Sequence, residues 1–120
     1  MLRASHIWAA LLGATLLIAA GCASNQGPIY YWGSYEQLLY DMHENPGKAD
    51  PGTQITKLTH DIEKAKATGK HIAPGVHGHL GYLYFSQGRT DSAAEEFALE
   101  KELYPESSHF VDGIFERMKR

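Results

Sequence analysis

The sequence holds a single cysteine, Cys22, among 120 residues, which excludes an internal disulfide and leaves a lone thiol that needs another explanation. Apolar runs long enough to cross a bilayer are also missing. From Ile7 to Ala20 the residues are all apolar or small, yet the run is 14 residues against the roughly 20 that a spanning helix requires. Basic residues are in deficit, with 11 Lys and Arg against 14 Asp and Glu. That balance argues against a nucleic-acid partner, which demands a basic face, and it offers no polybasic patch for anionic lipid. Ser, His and Asp occur, but none stands in a nucleophile turn or a recognisable catalytic motif. Neither an enzyme nor a cofactor is expected.

What stands at the N-terminus accounts for the cysteine. Met1 to His6 carries Arg3 and no acid, the apolar stretch follows, and Ala19-Ala20-Gly21 leads into Cys22. This is the layout of a signal peptide, and its end resembles a lipobox. Small side chains let a peptidase bind an extended backbone there, and the thiol takes a diacylglycerol as a thioether. A lipobox usually has Leu at the place held by Ala19. Residues 1–21 are thus expected to be a lipoprotein signal peptide, with Cys22 the lipid-bearing first residue of the mature chain. Several acyl chains anchor far more firmly than one, each buried methylene contributing about 0.8 kcal/mol. Ala23, rather than Asp, follows the cysteine, which favours the periplasmic face of the outer membrane.

The mature chain keeps 99 residues, with 10 cations and 14 acids, enough for one small domain. Residues 22–33 read as a tether ending in Tyr30, Tyr31 and Trp32, expected to plug against the first helix. Residues 34–120 read as an all-α domain of about five helices. Ser34 with Gln37 has the spacing of a capping box, and Tyr35, Leu38, Leu39 and Met42 recur at helical spacing. Asn45-Pro46-Gly47 stops that helix. Asp50 and Pro51 begin a second one, with the stripe Ile55, Leu58, Ile62 and Ala65, and Gly69 as its C-terminal cap. Lys57, Asp61, Glu63 and Lys64 read as its solvated face.

Leu80-Gly81, Tyr84, Gly88, Ala93, Phe97 and Pro105 then occur with the spacing L-G-x2-Y, A-x3-F, P. This resembles a tetratricopeptide repeat, of period about 34, over residues 74–107. The residue types have a physical reason. Gly81 lets a facing helix approach, Ala93 is the small residue opposite, and Tyr84 and Phe97 fill the space beside them. Thr90 or Asp91 should cap the second helix of the pair. Glu100 stands where a second small residue usually sits, so looser packing is expected there. A final helix, about Ser108 to Met118, has Phe110, Val111, Ile114, Phe115 and Met118 to cover the exposed edge of the pair, as terminal elements of repeat arrays do.

The lipobox-like segment, Tyr31-Trp32-Gly33, Ala73-Pro74-Gly75, His79-Leu80-Gly81-Tyr82 and the run Glu100 to Ser107 together resemble a family of small proteobacterial lipoproteins of unknown function. The resemblance implies a periplasm-facing lipoprotein with a repeat-like helical domain. It also implies a gene neighbourhood with a lipoprotein similar to the curli secretion channel, and so a protein partner in a lipoprotein assembly. Tetratricopeptide repeats bind extended segments on the face made by the first helix of each pair, which maps to Gly75, Gly78, Tyr82, Phe85 and Ser86. Tyr82, Phe85 and Ser86 are therefore the candidate partner-binding residues. A second reading takes the histidines His71, His77 and His79 as metal or ligand holders. Residues two apart on a helix point about 200° from one another, so His77 and His79 cannot share an ion on a regular helix, and no metal is expected.

Overall fold

The computed structural model describes residues 27–120; the expected leader and Cys22 lie outside the described residues. In chain order these hold strand β1 (Tyr30–Tyr31), helix α1 (Tyr35–Glu44), α2 (Pro51–Ala67), strand β2 (His71–Ile72), α3 (Val76–Ser86), α4 (Thr90–Leu103), one 3-10 turn (Pro105–Ser107) and α5 (Ser108–Met118). The all-α reading stands, with one two-residue parallel strand pair added.

Local chemistry explains most of these boundaries. The Asp50 carboxylate accepts from the Gly52 and Thr53 amides at the start of α2, satisfying donors that the first helical turn leaves open. Gly69 ends α2 with φ +66°, a left-handed conformation that favours glycine, and Lys70 N–H reaches back to the Ala65 carbonyl at 3.0 Å. Two expected caps do not form. Ser34 makes no side-chain cap bond because its amide and hydroxyl both donate to Asp61, a charged acceptor that outcompetes its own helix. Gln37 turns instead to Asp41 at 3.0 Å. Neither Thr90 nor Asp91 caps α4, which begins at Thr90 after an Arg89 without a capping bond.

The pair α3–α4 packs as its spacing predicts. A side chain on Gly81 would meet the Phe97 ring at 3.0 Å and the Ala93 carbonyl at 3.1 Å, so the two backbones nearly touch. Contacts run in opposite senses along the two helices: Gly81 with Ala93 and Phe97, His77 with Glu96, Gly78 with Glu100. The pair is therefore antiparallel. Leu80, Ala93 and Phe97 are buried, and Tyr84 bridges two apolar clusters. The larger cluster joins Leu38 of α1, Leu58 and Ile62 of α2, and Val76, Leu80 and Leu83 of α3. Full burial of each such aliphatic side chain contributes about 1.5–3 kcal/mol. The smaller one joins Ala93 and Phe97 to Val111, with Ile114, Phe115 and Met118 packed on it, so α5 covers the edge of the pair as expected. Pro105, at the expected end of the repeat, opens the 3-10 turn between α4 and α5.

A second regularity is invisible in the residue pattern. Tyr30 pairs with His71 and Tyr31 with Ile72, an offset of 41 residues, and each strand is followed by three residues and then a helix pair. The chain thus repeats a strand–helix–helix unit, first β1-α1-α2 and then β2-α3-α4. In both units a buried acid on the second helix serves the start of the first. Asp61 of α2 accepts from Ser34 N at 2.8 Å, and Glu100 of α4 accepts from Gly75 N at 2.7 Å and Gly78 N at 3.0 Å. These are equivalent register positions, since Ser34 and Gly75 both immediately precede a first helix. Two expectations are corrected by this. Asp61 belongs to no solvated face, being 5% exposed, and Glu100 does not loosen its helix but fastens it to the start of α3. The residues Tyr30 and Tyr31, read above as tether, are the first strand of the fold.

Gly81→Val should lower stability by about 1–3 kcal/mol through overpacking against Phe97. Gly113, within α5 and with nothing near its absent side chain, should behave oppositely. Gly113→Ala is expected to raise stability by up to about 1 kcal/mol through helix propensity. Urea denaturation of both variants checks the pair.

Candidate functional site

Three helices converge on one groove. First helices of the two units, α1 and α3, form two of its sides, and α5 forms the third. Its volume is about 270 Å³, room for one or two large side chains. Tyr35 and Met42 line it from α1, His79 and Tyr82 from α3, and Phe110, Val111 and Ile114 from α5. Gly78 lines it too, and its lack of a side chain leaves space beside the Glu100 chain, which would stand 3.6 Å from an added Cβ.

Exposure distinguishes this wall from core. Met42 is 42% exposed, Tyr82 51% and Phe110 68%, although Met42 and Phe110 lie on apolar helical stripes. Large apolar groups left open around a concavity mark contact surfaces. Of the candidate binding residues, Tyr82 stands in the groove. Phe85 and Ser86 are not among the residues that line it: Phe85 packs against the smaller cluster under α5, and the Ser86 hydroxyl donates to the Leu83 carbonyl of its own helix at 2.7 Å. Their places on α3 follow from pitch. One turn beyond Tyr82 the same helical face has moved past the groove, and at Phe85 it meets the cluster under α5. Met42 and Phe110 were read from the sequence as core stripes; nothing in periodicity separates a groove wall from a buried seam.

Polar groups in the groove are few: the Glu100 carboxylate, the His79 ring and the hydroxyls of Tyr35, Tyr82 and Ser107. Glu100 is 2% exposed and its oxygens take the Gly75 and Gly78 amides. Near it, burial first and the Glu100 charge second push the Tyr35 hydroxyl above its ordinary pKa. His79 Nε2 lies 3.1 Å from Gln54 Oε1, and Gln54 Nε2 in turn donates to the Ala49 carbonyl at 2.8 Å. The amide oxygen of Gln54 can only accept, so the neutral His79 ring carries its proton on Nε2 and keeps Nδ1 as an acceptor. Burial holds this histidine below its usual 6.5, because removing it from water disfavours the cation.

The three histidines weighed as ligands go separate ways. His77 is 5% exposed and donates through Nδ1 to Glu96 Oε2 at 2.6 Å on α4. His79 faces α2 and stacks edge-on to Tyr35, with ring centroids 5.8 Å apart. His71 sits exposed on β2. Among the described residues, no three His, Cys, Asp or Glu side chains gather as a metal ion would require, and no helix is long and apolar enough to cross a membrane.

An all-α unit built from two strand–helix–helix repeats, closed by a fifth helix and carrying an apolar groove, is the class of protein that fold and site define. A family model described as a domain of unknown function (DUF4810) matches residues 29–114. The chain belongs to that family. The match begins one residue before β1 and ends within α5, so it takes in both repeats. No curated protein and no solved structure matches the chain.

Acid should weaken the fold. The unfolded chain protonates His79 near pH 6.5 while the folded chain resists, so stability is full above that value and falls as pH drops towards the lower folded value. Asp41 acts in the same direction at lower pH: its hydrogen bond from Lys48 holds its pKa down, and that contribution disappears once the carboxylate is protonated. The urea midpoint should fall from pH 7.5 to pH 5, and the fall should shrink in His79→Gln.

Proposed function

We propose that this protein is a lipid-anchored adaptor on the periplasmic face of the bacterial outer membrane, an accessory subunit of a lipoprotein assembly that grips a protein partner in the groove between α1, α3 and α5. The observation carrying this reading is the groove itself. Tyr82 and Phe110 stand half or more exposed at its rim. The buried carboxylate of the groove is engaged by backbone amides.

Anchoring rests on the sequence. A 14-residue apolar run before Ala19-Ala20-Gly21-Cys22 suits a cleaved leader and an acylated cysteine, and β1 begins eight residues after Cys22. A stretch of that length spans at most about 30 Å when extended. The folded unit would therefore sit close to the bilayer, where its partners would be other envelope proteins. The alternative, a metal- or ligand-holding protein using His71, His77 and His79, is less favoured because His77 and His79 are each bonded to a different helix.

Cross-linking in living cells followed by capture of the acylated protein should return a defined envelope partner. Tyr82→Ala or Phe110→Ala should reduce its recovery at least about fivefold while leaving the fold intact, since both side chains are exposed. Undiminished recovery with both variants places the contact elsewhere. Cys22→Ser should give an uncleaved precursor without lipid, read by mass spectrometry of the membrane fraction.

A further inference from the structure

The groove has a charge character that its apolar walls conceal. Glu100 lies at its base, 2% exposed, and among the described residues no lysine or arginine lines the groove or forms an ion pair with this carboxylate. Its two hydrogen bonds come from uncharged amides, of Gly75 and Gly78. A carboxylate has about four acceptor sites, so capacity remains after two bonds. Burying an anion without a cationic partner is costly, and a ligand that brought one would recover that cost.

The walls fit the same ligand. Tyr35, Tyr82 and Phe110 contribute aromatic surface to the lining, and Met42 and Ile114 aliphatic surface. Aromatic faces attract cations, more so where water is displaced. A long side chain with an apolar stem and a charged head can lie along such walls and reach an acceptor at their base. Arginine suits this better than lysine, because its guanidinium stacks on rings and donates in a planar fork to a carboxylate.

We infer that the groove recognises an arginine side chain projecting from an extended segment of the partner, the stem lying against Tyr82 and Phe110 and the guanidinium directed to Glu100. This deepens the adaptor reading and rests on it. It commits the occupant to a basic residue in an apolar setting, and it makes acidic segments poor ligands.

Three acetylated, amidated heptapeptides of alanine and leucine, differing only in a central arginine, norleucine or glutamate, separate the possibilities when titrated into the mature protein and followed by NMR. The arginine peptide should bind at least about tenfold more tightly than the norleucine peptide, the glutamate peptide should bind most weakly, and Tyr82 and Phe110 resonances should shift. Phe110→Ala should weaken arginine binding about tenfold. Glu100→Gln should erase the preference for arginine over norleucine; should that variant fail to fold by circular dichroism, the three peptides on the unaltered protein still decide. Equal or tighter binding of norleucine overturns the arginine inference and leaves the adaptor reading in place. No binding of any peptide overturns both.

Discussion

Two buried acids reach across helices to fasten the starts of other helices, and the architecture depends on them. A helix leaves its first amides without partners, and the usual remedy is a side chain just before the helix. Here the residue before α3 is Gly75, at φ +91°, which offers no side chain. Glu100 supplies the acceptor from 25 residues away. In the first unit Asp61 does the same for Ser34 across 27 residues. Substituting a local cap typically costs about 1 kcal/mol. A remote cap does more, because the bond that satisfies the amide also fixes the distance and register between two helices. Each acid ties the second helix of a unit to the start of its first, and the parallel strands together with the packing of α2 on α3 set one unit beside the other.

The glycines around these acids follow from the same constraint. An added side chain on Gly33 would collide with the Asp61 carboxylate, and one on Gly75 would stand 2.8 Å from the Tyr35 hydroxyl. Both positions also require positive φ, where only glycine is unstrained. Removing bulk at the helix starts lets the acids come in, and at Gly78 and Gly75 it also opens the groove. The same small residues thus serve the cap and the cavity, which is why the groove has a carboxylate at its base.

The α3–α4 pair was legible in the sequence because large-against-small packing leaves its mark on spacing: Leu80, Gly81, Ala93 and Phe97 all take the places that their types imply. Asp50, Pro51 and Gly69 were legible as local stop and start signals. The acids were not, since a carboxylate 25 residues from the amide that donates to it is indistinguishable in sequence from one on a wet helix face. Two-residue strands have no period to detect, so the repeat of 41 residues emerged only from their pairing. The groove was half legible. Tyr82 followed from its place on the first helix of the recognisable pair, whereas Met42 and Phe110 come from elements without a repeat signature.

The Tyr104 hydroxyl donates to the Ile72 carbonyl, and the direction of that bond sets a limit on assembly. Across the trans peptide between Ile72 and Ala73 the two polar groups point opposite ways. Ala73 N–H is turned to Tyr31 of β1 at 3.1 Å, so the Ile72 oxygen faces outward, to where a third unit's strand would add. A phenol already occupies that acceptor. Unpaired strand edges are open to pairing with further backbone; on this side of β2 a side chain of the fold itself already bonds that acceptor.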